Sequence, residues 1–154
     1  MRLRFGVMVA AIWWGSLTGL GFLVEPMLFS HLPSPATAGA MAARLFTAQT
    51  WVGIVCGMLL LLVFNQKEPT AQSIYARPAI KYIATGLLLL VLVEFAVAPH
   101  IVGARAVGGS AAADSKFWHA LGSAMYLLQW LCAGMVLWSL SGVVSQPVAE
   151  PTLT

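Results

Sequence analysis

Two glutamates lie within apolar stretches of the sequence, Glu25 in GFLVEPMLF and Glu94 in LVEFAVAP. An ionisable side chain inside a bilayer costs at least about 2.5–3.5 kcal/mol near the helix centre, so it faces other helices and finds a partner. For Glu25 we expect an ion pair with Arg44, because both lie near the same end of successive apolar stretches. Glu94 lies deeper, and its expected partners are Thr50 and Tyr126. Glu94 is the chain's candidate for proton handling; the alternative for both glutamates is a structural role that ties helices together.

Histidines could add metal chemistry at the same end of the molecule. His100 follows Pro99, and His119 comes early in the next apolar stretch, so the two could meet across a helix pair. Neutral imidazole binds iron, copper and zinc. However, the sequence has no haem-attachment CxxCH and no further ligand at fixed spacing. We therefore predict no cofactor, with haem or copper held by His100 and His119 as the alternative.

A polar stripe follows His119 along the last apolar stretch. His119, Ser123, Tyr126 and Trp130 recur at helical spacing and so share one face. Such a stripe is expected to turn towards the other helices or a watery cavity. The predicted polar cluster joins the stripe to the other polar groups at this end, giving a binding set of Glu25, Arg44, Glu94, His100, Arg105, His119, Ser123 and Tyr126.

Composition defines the setting of these residues. The chain has 154 residues, of which 60% are hydrophobic and 8% are charged. A soluble domain carries about 25% charged residues. The composition therefore excludes a soluble enzyme domain, a disordered chain and a nucleic-acid binder, and it indicates an integral membrane protein. Two cysteines, Cys56 and Cys132, lie in apolar runs as small hydrophobic groups, and no nucleophile elbow, phosphate loop or HExxH motif points to an enzyme.

Four stretches reach the roughly 20 apolar residues that a membrane helix needs. They run over about 5–29, 40–64, 79–102 and 117–144, and they predict an all-α four-helix bundle, followed by a disordered tail over 145–154. Lys and Arg residues near the spans set orientation. Five of these residues lie on the side of the membrane that holds the termini: Arg2, Arg4, Lys67, Arg77 and Lys81. Three lie on the other side: Arg44, Arg105 and Lys116. This excess favours cytoplasmic termini, and we expect the membrane to be a bacterial inner membrane.

The two halves of the chain resemble each other weakly. LVEPMLF can be laid over AVAPHIV, which matches Pro26 with Pro99 and suggests two repeated helical hairpins. Glycines four residues apart, in GSLTG at 15–19 and GIVCG at 53–57, predict a close crossing of the first two helices. Chance is the alternative in both cases, because apolar helices share their composition.

The run EFAVAPHIVGAR and the later KFWHALGSAMYLLQWL resemble the second half of the TMEM205-like (DUF4149) membrane proteins. The residues that carry this resemblance are Pro99, Arg105, Phe117, His119 and Ser123. GLGFLVEPMLF with ARLF is similar to the opening hairpin of that family, so the resemblance extends from about Phe5 to Val144. It implies a four-helix membrane domain without an established activity.

Three functions follow as hypotheses. The first is a non-enzymatic membrane protein whose polar cluster binds a small polar ligand, protons or a partner membrane protein. The second is a haem- or copper-binding redox protein. The third is an oligomeric transporter or channel subunit, since four helices can scarcely enclose a pore alone. The lipid bilayer is the expected partner in every case, with a homo-oligomer or a partner membrane protein as the further expectation.

Overall fold

The computed structural model describes residues 2–64, 71–107 and 112–144, and the predicted disordered tail lies outside them. The described chain forms four long helices, each long and apolar enough to cross a membrane. This confirms the prediction of an all-α membrane bundle. The helices are α1 (Arg2–Thr18, a π-helical turn Gly19–Val24, then Glu25–His31), α2 (Pro35–Phe64), α3 (Ala71–Leu92, a π-helical turn Val93–Val97, then Ala98–Val107) and α4 (Ala112–Val144).

Helix α2 begins five residues earlier than predicted, at Pro35 instead of residue 40. Ser34 supplies the reason, because its hydroxyl accepts a hydrogen bond from the backbone N–H of Thr37 at 3.2 Å. Serine is a favoured N-cap, and proline fits the first helical position because its missing N–H would have no partner there. The connection between α1 and α2 is therefore only three residues long, which makes the two helices antiparallel neighbours.

Each helix packs against the next in sequence, and α4 packs back against α1. We call the half of the bundle that holds the N-terminus proximal, and the half that holds the α1–α2 connection distal. The largest fully buried side chains lie at mid-height and in the proximal half: Trp13, Leu17, Leu60, Ile83, Val136 and Leu140. In contrast, the distal part of α1 from Gly19 to His31 buries no residue.

The glycine pair of α2 packs mainly against α3, whereas the pair Gly15 and Gly19 of α1 meets no neighbouring side chain. A Cβ at Gly57 would lie 2.6 Å from Leu87, and one at Gly53 would lie 2.7 Å from Leu90. At Gly15 and Gly19 a Cβ would meet nothing within 4 Å. The prediction that both glycine pairs join α1 to α2 was therefore wrong for α1, because Gly15 lies on the exposed side of its helix.

The π-helical turns of α1 and α3 occupy matching places in the two hairpins. Each one ends two residues before a proline, at Pro26 in α1 and at Pro99 in α3. A proline inside a helix removes one backbone hydrogen bond and crowds the preceding turn. A π turn changes the hydrogen-bond partner from i−4 to i−5 and widens the helix locally. The predicted match of Pro26 with Pro99 thus has a counterpart in backbone geometry.

Gly86 is the contact point for the central tryptophan, so we predict that Gly86→Ala destabilises the bundle. The added Cβ would lie 2.8 Å from the ring of Trp13, which is fully buried and cannot move aside. We expect a loss of about 1–3 kcal/mol in the free energy of unfolding, the usual cost of overpacking. Reversible unfolding in mixed micelles would measure it. Gly15→Ala is the matched control and should be neutral or slightly stabilising, since alanine favours helix; an equal loss in both variants would contradict the prediction.

Candidate functional site

Glu94 lies in the π-helical turn of α3 and faces two hydroxyls of α2. Thr47 donates a hydrogen bond to one carboxylate oxygen at 3.1 Å, and Thr50 donates to the other at 3.4 Å. Thr50 also lies 3.1 Å from the carbonyl of Phe46, so its hydroxyl is shared between two acceptors. Within the described part of the chain, no cationic side chain forms an ion pair with Glu94. We call Glu94, Thr47 and Thr50 the Glu94 site.

A proton or a small molecule can reach the Glu94 site, because Glu94 is only half-buried and Thr47 is exposed. The expected contact with Thr50 is present, whereas Tyr126 contacts a different helix. π-helical turns occur frequently at functional sites because they reorient a side chain within a continuous helix. The carboxyl can therefore accept hydrogen bonds or a proton while the helices around it stay packed.

Glu25 does not form the predicted ion pair with Arg44 among the described residues. Its carboxylate instead lies close enough to the phenol of Tyr126 for an electrostatic interaction. Arg44 lies on the exposed side of α2, away from the buried face that carries Ala42 and Gln49. The expectation failed because similar depth along two helices does not ensure that two side chains share a face.

Tyr126 and Trp130 join α4 to α1. The phenol of Tyr126 donates to the carbonyl of Leu17 at 2.7 Å, directly before the π turn. The indole N–H of Trp130 donates to the hydroxyl of Thr18 at 2.9 Å. These two residues form the inward part of the predicted stripe.

The distal part of that stripe departs from the prediction. Ser123 and His119 are exposed, so the face turns inward only from Tyr126 towards the proximal end. In this part of α4, Trp118 and Gly122 face α3 instead, through contacts with His100 and Ile101.

His100 packs against Trp118, the residue next to its expected partner His119. Its ring stacks on Trp118 with the centroids 4.2 Å apart, and its Nδ1 lies 2.7 Å from the carbonyl of Ala96. Because a carbonyl only accepts, Nδ1 carries the proton of this hydrogen bond. His119 is exposed. No group of three or more metal-ligating side chains occurs among residues described, and the haem or copper alternative stays a prediction.

The side chain of Arg105 lies outside the described residues, so its place in the predicted cluster stays a prediction. The other members occupy different places in the described structure: Arg44, His119 and Ser123 are exposed, and His100 stacks on Trp118. Glu94 lies between α2 and α3, and Glu25 with Tyr126 lies between α1 and α4.

Sequence reasoning missed the buried amides. Gln49 donates to the hydroxyl of Ser16 at 2.9 Å and so links α2 to α1, while its neighbour Thr50 reaches α3. Gln129 is buried in α4, and its side-chain N–H₂ has no hydrogen-bond partner. A usable signal existed, because a glutamine in the middle of an apolar span, as in TAQTW and LLQWL, is costly unless it faces other helices.

Loss of the Tyr126 hydroxyl is expected to weaken the α1–α4 contact. Tyr126→Phe removes the hydrogen bond to Leu17 but keeps the ring that packs edge-on against Phe46, with centroids 5.1 Å apart. We expect a destabilisation of about 0.6–1.7 kcal/mol, the range for interhelical hydrogen bonds in membranes. Unfolding in mixed micelles would measure it, with Tyr82→Phe as the control because no described hydrogen bond involves Tyr82. Equal stability of Tyr126→Phe and the native chain would contradict the prediction.

The fold and site define a small integral membrane protein of four helices with polar side chains at their distal contacts. Residues 8–110 match the family described as a domain of unknown function, DUF4149, so the chain belongs to that family. The match covers most of α1 and all of α2 and α3, and it ends before α4. No curated protein and no solved structure matches the chain.

Proposed function

We propose that the protein is a non-enzymatic membrane protein that binds protons, or a small polar ligand rich in hydrogen-bond donors, at the Glu94 site. One observation carries the proposal: a half-buried carboxyl within a membrane span is held by hydroxyls rather than by a cation. A membrane-embedded carboxylate needs compensation, and a proton or a donor ligand supplies it.

The surroundings of the site also support binding rather than chemistry. The contacts of Glu94 described here are hydroxyls, which can donate to a carboxylate and reorient to accept from a carboxylic acid. The core of the bundle from mid-height to the proximal end is filled by side chains such as Trp13 and Leu60, so access from the distal end is favoured.

Labelling with a hydrophobic carbodiimide tests the proposal, since the reagent reacts with protonated carboxyl groups in apolar surroundings. We expect an adduct at Glu94, detected by peptide mass spectrometry, whose yield falls as pH rises. Glu94→Gln should abolish this adduct, and Glu25→Gln should leave it in place. Thr50→Val should change the pH at which labelling is half-maximal, because it removes a donor to the carboxylate. Absence of any adduct at Glu94 between pH 5 and 9 would overturn the proposal.

We further propose that both termini face the cytoplasm of a bacterium. The proximal half carries Arg4 and Lys81 near the ends of its apolar spans, which agrees with the positive-inside rule. A fluorescent protein fused to the C-terminus should mature, while alkaline phosphatase fused there should be inactive. The opposite pair of results would reverse the orientation and place the Glu94 site nearer the cytoplasm.

A further inference from the structure

We propose that the distal arm of α1, Glu25–His31, is a flap that moves about the π-helical turn Gly19–Val24 and opens the distal end of the bundle between α1 and α4. The proposal concerns conformation and holds whether or not Glu94 binds a ligand. It rests on backbone geometry, on the distribution of buried side chains and on the hydrogen bonds from α4, which reach α1 only before the turn among the described residues.

The backbone of α1 is weakest where the flap joins it. The π turn Gly19–Val24 contains two glycines, and Pro26 follows it without a backbone N–H to donate. Sharp bends in helices occur at prolines and π turns. In this helix both features occur within eight residues, between Gly19 and Pro26.

Packing changes abruptly at the same place. Proximal to the turn, α1 buries Val9, Ala10, Trp13 and Leu17, whereas neither the turn nor the flap buries any residue. Segments with few buried contacts open at low free energy, while the packed part of the same helix does not.

Hydrogen bonds from α4 hold α1 just before the turn, Phe22 of the turn packs edge-on against Trp130 with the centroids 5.5 Å apart, and Glu25 at the start of the flap interacts electrostatically with Tyr126. Tyr126 holds the carbonyl of Leu17, and Trp130 holds the hydroxyl of Thr18. Beyond the turn, the described hydrogen bonds of the flap stay within it or join the adjacent turn, as when Leu32 N–H donates to the carbonyl of Leu28 at 3.1 Å.

The equivalent arm of α3 differs and so acts as an internal comparison. Its π turn also precedes a proline, but Val97 is buried and His100 stacks on Trp118 of α4. The side chain of Ile101 also lies 3.5 Å from the position that a Cβ would take at Gly122 of α4. We therefore infer that the α1 arm moves while the α3 arm stays on α4.

Spin-label distances in lipid nanodiscs test the flap. Labels replace Phe29 and Phe117, which are exposed, in a chain whose Cys56 and Cys132 are changed to alanine. We expect a distance distribution at least twice as wide as that of a proximal control pair at Met8 and Met135. Deletion of Leu23 removes the extra residue of the π turn and should narrow the distal distribution to the width of the control.

Hydrogen exchange on the native chain provides a test that needs no substitution. Backbone amides of residues 25–31 should exchange at least ten times faster than those of residues 8–17 in the same helix. A distal distribution as narrow as the proximal one, or equal protection of the two segments, would overturn the proposal. So would a wide distribution that deletion of Leu23 leaves unchanged, since the π turn would then not be the hinge.

Discussion

Replacement of Trp13 by alanine is expected to lower the free energy of unfolding by about 3–5 kcal/mol, the usual cost of truncating a fully buried aromatic side chain. Trp13 has 0% of its surface exposed, and its ring lies against Gly86 of α3 and next to Gly53 of α2. Three helices thus depend on one side chain for their contacts. Its indole N–H has no hydrogen-bond partner, so the loss of that unpaired donor offsets part of the cost and favours the lower end of the range.

Reversible unfolding in mixed micelles would measure the change, with Trp138→Ala as the matched control. Trp138 is 78% exposed, so its truncation should change the free energy of unfolding by less than about 0.5 kcal/mol, as for other exposed positions. A double variant gives a sharper test. Once the Trp13 ring is absent, Gly86→Ala should no longer destabilise, and the coupling between the two substitutions should be about 0.5–3 kcal/mol. Additive effects would show that the ring and the glycine do not pack as described.

The number of helices could be predicted from the sequence because the bilayer imposes a length of about 20 apolar residues on each span. Depth along the helices could be predicted as well, which is why Thr50 was correctly expected to contact Glu94. Both inferences depend only on how far a residue lies from the end of its span. They do not require knowledge of which side of the helix the residue occupies.

The face of Glu25 could not be predicted, and the π turn of α1 contributes to that failure. Each extra residue in a helical turn rotates everything beyond it by about 100°, so the 3.6-residue period cannot be followed through the turn. Glu25 lies just beyond the π turn of α1; its carboxylate interacts electrostatically with Tyr126, and the expected ion pair with Arg44 is not formed among the described residues. The signal for such a turn was the proline that follows it, but Pro26 alone does not specify where the extra residue lies.

Small residues gave a second ambiguous signal. Gly15 and Gly53 both belong to pairs of glycines four residues apart, yet only Gly53 faces another helix. Spacing shows that a face is smooth, and it does not show whether that face is covered by protein or by lipid. A glycine takes part in helix packing only where a large side chain of another helix lies against it. Leu90 lies against Gly53, and no side chain lies within 4 Å of the Cβ position of Gly15.

Gln129→Leu is expected to stabilise the bundle by about 1–3 kcal/mol, the cost of leaving a buried polar group without a partner. Gln129 is 2% exposed, and its side-chain N–H₂ makes no hydrogen bond. Leucine has a similar volume and keeps the packing of α4.

Gln49→Leu is the matched control with the opposite sign, because the amide of Gln49 donates to Ser16 at 2.9 Å. That variant should lose about 0.6–1.7 kcal/mol, as for other interhelical hydrogen bonds in membranes. Reversible unfolding of the two variants in mixed micelles measures both changes in the free energy of unfolding. Destabilisation by Gln129→Leu would contradict the prediction, because it would mean that the amide of Gln129 has a partner in the folded protein, such as a buried water.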